Sequence, residues 1–149
     1  MKKIKDTFYS IAINFKTMPF FLKYITLGSI IGGPLFIIGP FLPSFYFAIN
    51  GQQVTQSEFW SAGAGPTMVI VGIVLLICGI GFIYRKPWSR WIFCLGILLP
   101  VIIDAISGSI LEKTVANYIY TIGVTAVIYI WYFFIKKSVR NYFGLKALS

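Results

Sequence analysis

Asp104 is the one ionisable side chain set well inside a long apolar run of this chain. A carboxyl group in hydrocarbon can exchange a proton or hold a cation, and such acids mark ion and proton paths in membrane proteins. Placing one there costs about 2.5–3.5 kcal/mol on insertion scales, so its neighbours must offset the penalty. On a helix, Gly96, Pro100, Asp104, Ser107 and Gly108 share one face. Tyr118, Thr121, Thr125, Tyr129 and Tyr132 fall in a narrow stripe on the next apolar run. If the two runs form a hairpin, Asp104 lies roughly 10 Å in from its turn, at 1.5 Å per residue, level with Tyr118 or Thr121. Asp104, Ser107, Tyr118 and Thr121 therefore form a candidate polar centre, with a hydrogen bond expected between Asp104 and one of the two hydroxyls. It reads either as a proton- or cation-coupled site or as a protonated acid that fixes helix register. A relay normally uses a second acid, a histidine or a base within the membrane. None is present here, since Glu112 and Lys113 belong to the rim.

A second unusual string runs Gly28-Ser-Ile-Ile-Gly32-Gly33-Pro34, then Gly39-Pro40 and Pro43. Proline removes a backbone donor and crowds the preceding turn, so a helix here should bend. Gly28, Gly32 and Gly39 fall on one face, since four and eleven residues correspond to about 40° and 20° of rotation. These three are the expected helix-packing positions, because a glycine face admits a neighbouring backbone. The competing reading is a broken helix that lines a substrate path.

Little else could do chemistry. The chain has no histidine, which removes the commonest metal ligand and the usual general base. Cys78 and Cys94 both fall in apolar runs and read as small buried residues, not as a disulfide or metal pair. There is no phosphate-cradling glycine loop, cofactor fingerprint or metal-ligand spacing. The expectation is a non-enzyme with no cofactor and no metal.

The elements that must carry these residues follow from composition. Of the 149 residues, 58% are hydrophobic and 11% charged, too few charges to clothe a water-facing surface. Apolar runs near 24–49, 66–84, 91–111 and 115–135 are each long enough for a helix to cross a bilayer core of about 30 Å. The runs are continuous, not alternating, so they read as helices rather than barrel strands. The expected fold is an all-α integral membrane protein: four antiparallel transmembrane helices in a single domain.

Charge placement orients it. Twelve of the thirteen Lys and Arg residues lie in the N-terminal segment, the 85–90 link and the tail from 136, and only Lys113 lies elsewhere. The positive-inside rule then puts both termini in the cytoplasm, in a bacterial inner membrane. Arg85, Lys86, Trp88, Arg90, Trp91, Lys136 and Lys137 read as interface anchors, their bases meeting lipid phosphates. Tyr84, Trp131 and Tyr132 would complete an inner aromatic belt, and Trp60, Tyr118 and Tyr120 an outer one. The net charge of +9 is thus accounted for by the membrane edge, without nucleic acid. Pro87 and Ser89 suit a turn and helix start.

Residues 6–22 carry Phe8, Ile11, Phe15 and Met18 at helical spacing, which suits an amphipathic helix in the inner interface ending at Pro19. The N-terminus reads as retained, not as a cleaved leader. In the outer segment, Asn50-Gly51 reads as a turn and Gly63 to Pro66 as the approach to the second span. Glu58, Phe59 and Trp60 form a small acidic-aromatic patch.

In outline (four spans, both ends inside, short links) the chain resembles many small bacterial membrane proteins, some toxin-immunity proteins among them. The likeness is one of shape, so it assigns no residue a role. The functional expectation is a non-catalytic membrane protein that binds another membrane component, as an accessory subunit or an immunity-type protein. Its partners would be the lipid bilayer and another membrane protein or itself. The alternative is a small oligomeric transporter or channel built on Asp104 and the Gly/Pro-broken first span.

Overall fold

A computed structural model gives the architecture and describes residues 2–43, 45–49, 51–96 and 123–145. The described chain is mostly helical, as an all-α fold requires. Helix α1 spans Lys2–Thr17 and α2 spans Phe20–Ile38, followed by one tighter turn at Gly39–Phe41. Strands β1 (Ala48–Ile49) and β2 (Gln52–Gln53) form a minimal hairpin, with Ala48 opposite Gln53 and Gly51 in the left-handed region. Helices α3 (Gln56–Ser61) and α4 (Ala64–Ile83) follow. The described part of α5 covers residues 88–96. Helix α6 runs Gly123–Ile135 and closes in a wide π turn, Trp131–Ile135. Helix α7 is Lys137–Tyr142.

Two of these helical segments, Phe20–Phe41 and Ala64–Ile83, are long and apolar enough to cross a membrane. The first departs from the expected 24–49. It begins at Phe20 because Pro19 holds extended backbone between α1 and α2, and it ends at Phe41 because Pro40 and Pro43 cannot continue the ladder. Pro34 is accommodated inside α2. The second matches its expected range closely, since Gly63 in the left-handed region marks the turn before it.

Helices α2 and α4 pack antiparallel, and small residues set how near they come. A Cβ on Gly72 would stand 2.7 Å from the Gly33 carbonyl, and one on Gly79 would stand 3.1 Å from the Ser29 Cβ. Glycine is needed here for close approach, not for turn geometry. The contact face is therefore Ser29, Gly33 and Gly39, the last against Phe45 and Met68. At Gly28 and Gly32, expected at the contact, an added Cβ would meet no atom of another element within 4 Å among the described residues. Consecutive residues on a helix are about 100° apart, so Gly33 turns inward where Gly32 turns away.

The core lies at one end of the molecule. Met18, Leu22, Cys78, Phe82, Phe93, Tyr132, Phe133, Val139, Tyr142 and Phe143 form a single buried cluster. It is built from the end of α1, the start of α2, the end of α4, the start of α5, the end of α6 and α7. The three basic segments of the sequence therefore meet at that end.

Candidate functional site

The basic end begins where α4 stops. Lys86 donates its amide to the Gly81 carbonyl (2.8 Å) and Arg85 donates to Phe82 (3.1 Å), a helix-ending pair that requires left-handed backbone at residue 85. Glycine normally fills that place; here it is Arg85, at φ 53°. Its guanidinium compensates with contacts of its own. Nη2 donates to the Thr17 hydroxyl at 2.6 Å, and the group lies 4.8 Å from the centre of the Tyr142 ring. Nε is buried without a hydrogen-bond partner.

The link then folds back. Ser89 is fully buried and its hydroxyl donates to the Lys86 carbonyl at 2.6 Å, so it braces the turn from within the helix instead of capping it. Gly81 makes room, since a Cβ there would lie 2.7 Å from the Ser89 Cβ.

Arg90 is the largest departure from the sequence reading. Expected at the lipid interface, it is only 5% exposed. The π turn and the extended backbone of Lys136 break α6 from α7. Arg90 Nη1 donates to the Phe133 carbonyl at that break, at 2.8 Å, and Nε reaches the Pro87 carbonyl at 3.3 Å. The guanidinium stands over two rings, 4.9 Å from the centre of Phe134 and 5.2 Å from that of Phe143, so the charge meets aromatic electron density twice. Burial, then the nearby Arg140 charge, pull its pKa below the ordinary arginine value. Tyr142 donates to the Phe82 carbonyl at 2.9 Å; burial pushes its phenol up, and Arg85 pulls the other way.

The other expected anchors divide. Lys86, Trp88, Trp91 and Lys137 are exposed, as are Tyr84 and Trp131. Tyr132 is not part of an exposed belt: it is 6% exposed and packs edge-on against Phe21 and Phe133. Lys136 holds its ammonium 5.1 Å from the Tyr132 ring, 5.5 Å from Phe21 and 5.8 Å from Trp131. Sequence reasoning grouped these cations at one edge but missed the rings packed around them. The available signal was the aromatic density on both sides of Lys136-Lys137, from Trp131 to Phe134 and at Tyr142-Phe143.

Helix α1 joins this end through its last turn. Ile11, Phe15 and Met18 face inward, while Tyr9, Ser10, Lys16 and Thr17 are exposed. Thr26 lies with its hydroxyl 2.7 Å from the Leu22 carbonyl and 3.3 Å from the Met18 sulfur, which seats Met18 in the core.

At the far end, the 39–41 turn leaves the Pro40 carbonyl to side chains. Gln56 Nε2 donates to it at 2.8 Å and Trp60 Nε1 at 3.0 Å. The expected patch is not one exposed surface. Phe59 is buried against Phe47, and Trp60 lies over Gly65. Glu58 is exposed and caps its own helix: its Oε2 accepts from the Thr55 amide (2.8 Å) and hydroxyl (2.9 Å). Those two bonds, the amide's first, hold its carboxyl below the ordinary 4.5.

Cys78 and Cys94 are free thiols beside the aromatic cluster. Asp104, Ser107, Tyr118 and Thr121 lie outside the described residues, and so does the hydrogen bond expected among them. No family model, no curated protein and no solved structure matches the chain.

Proposed function

We propose that this chain is a small multi-pass protein of the bacterial inner membrane, with four spans and both termini in the cytoplasm. It performs no chemistry of its own and acts by binding another membrane component, as an accessory subunit or an immunity-type protein. The observation that carries the reading is the outward apolar surface of α2 and α4. Only 22% and 28% of their most apolar windows are buried, whereas the core helix of a water-soluble protein hides most of its length. Leu27, Ile31 and Leu35 on α2 and Ile70, Ile73, Ile77 and Ile80 on α4 are all exposed. Gly28 and Gly32, open among the described residues, offer a second helix the close approach that drives association in lipid. The orientation rests on the meeting of the N-terminal segment, the 85–90 link and the C-terminal tail at one basic end.

Two measurements test this. In a Cys78→Ala/Cys94→Ala background, Ser57→Cys should react with an impermeant maleimide on intact cells, and Ser138→Cys only after permeabilisation. The same labelling for both would end the topology. For the binding role, purification in mild detergent should recover a co-purifying membrane protein or a self-association product. Gly28→Leu/Gly32→Leu should lose it while keeping the thermal stability of the chain. A strictly monomeric chain with no co-purifying partner would refute the role.

A further inference from the structure

The basic end gathers positive charge from three segments of the chain. Among the described residues no carboxylate pairs with Arg85 or Arg90, Arg140 stands near enough to Arg90 to repel it, and Lys86 is exposed beside them. Ring faces shield the guanidinium planes but cannot accept their in-plane hydrogen bonds, which call for oxygen. At Arg85 that demand is met in part, with the Tyr142 phenol also beside the group. Nη2 is taken by Thr17, and Nε has no acceptor. Thr17 contributes a neutral oxygen. Its own proton points back to the Ile13 and Asn14 carbonyls, at 2.9 and 3.1 Å, so it presents a lone pair to the guanidinium. A tetrahedral anion would present two charged oxygens to the same edge and satisfy both nitrogens.

We propose that Arg85 is the centre of a binding site for one phosphate, supplied by an anionic phospholipid headgroup, and that the Thr17 hydroxyl occupies the place of a phosphate oxygen when the lipid is absent. The lipid source rests on the membrane reading above, in which this end faces the inner headgroups. The left-handed backbone at residue 85 fixes where the guanidinium points. Met18, seated in the core behind Thr17, keeps α1 in place while its last turn yields.

Arg85 also offers a clean variant. Arg85→Gly removes the guanidinium and supplies the residue the backbone there favours, so the fold is retained. Lys137→Gln removes one exposed charge at the same end as a control. The full chain in detergent is exposed to equal phosphatidylglycerol and phosphatidylcholine at about 0.5 M salt, where the Debye length is about 4 Å and bulk attraction is screened. Native mass spectrometry then counts the lipid retained. One phosphatidylglycerol is expected on the wild type. Arg85→Gly should weaken its retention about tenfold or more, the effect of a lost charge-assisted hydrogen bond. Lys137→Gln should leave it within about twofold under that screening, and Thr17→Ala, which frees the edge, should strengthen it. Equal losses in Arg85→Gly and Lys137→Gln overturn the site, and so does unchanged retention in Thr17→Ala. Equal thermal stabilisation by inorganic phosphate alone overturns the lipid source. Failure of the chain to partition into membranes would sink the membrane reading instead, a separate result obtained before any lipid is added.

Discussion

Replacing Gly72 by alanine adds one methyl group where α2 and α4 touch backbone to backbone. The new Cβ would lie 2.7 Å from the Gly33 carbonyl oxygen and 2.9 Å from Ile37 Cγ1 and Phe36 Cβ. The first of these atoms is main chain and cannot swing aside, so the helices must separate. Overpacking of this kind costs about 1–3 kcal/mol. Against it stands the gain of alanine over glycine in a helix, about 1 kcal/mol. The net is a destabilisation of up to about 2 kcal/mol, or up to roughly 8 °C in melting temperature for a chain of this size. Gly28→Ala is the internal control. It carries the same propensity gain and meets no described atom within 4 Å, so its melting temperature should rise slightly. Both are read by far-UV circular dichroism on heating in one detergent. If Gly72→Ala melts at or above the wild type, or if Gly28→Ala falls as far as Gly72→Ala, the packing face has been misassigned.

Arg90 distinguishes an internal brace from a lipid anchor. Arg90→Met leaves the Phe133 carbonyl without its donor and should destabilise by about 1–3 kcal/mol. Arg90→Lys keeps the charge but cannot reproduce the flat contact with two rings, so it should melt near Arg90→Met; recovery to wild type would mean that charge alone matters. Glu58 gives a pH dependence. Its carboxyl is held below 4.5 in the folded chain, so its support of α3 is present above the unfolded value and lost as pH falls through the folded one. Amide exchange in 55–61 should therefore rise below about pH 4.5 relative to α4, and Glu58→Gln, which removes the titrating group, should abolish that dependence; an identical profile in the variant would exclude the cap as its source.

What could be read in advance was depth along the helices, and what could not was rotation about them. Helix α4 was legible because Gly63 to Pro66 marks its start and the apolar run ends at Tyr84-Arg85. The first span was misjudged at both ends because apolarity persists to residue 49 while the backbone ladder fails at Pro40. Hydropathy sees side chains, and proline acts on the main chain. Gly32 and Gly33 are adjacent and chemically identical, so only the docked partner decides which one turns inward. The aromatic belt failed at Tyr132 for a related reason. At a membrane edge a ring can face lipid or cover a neighbouring cation, and composition is the same in both cases.

The two ends of the described helices are closed by different chemistry, and the difference bears on the orientation proposed above. At the far end the neutral donors Gln56 and Trp60 converge on the Pro40 carbonyl, and the Glu58 carboxylate caps its own helix as an acceptor. At the basic end cations do it, with Arg85 tying α4 to α1, Arg90 tying α5 to the α6–α7 break, and Lys136 set among rings of α2 and α6. A positive-inside signal alone would be met by any exposed lysine, as Lys86 and Lys137 already provide. Arginine at 90 is therefore asked for by the fold, since only a planar, many-donor cation can stack on a ring and still reach a carbonyl. In the orientation proposed above, Arg90 couples inward charge to closure. Moving its charge to the opposite end, as topology-inversion variants do, should lower the melting temperature of the chain before it inverts the labelling of Ser57→Cys and Ser138→Cys.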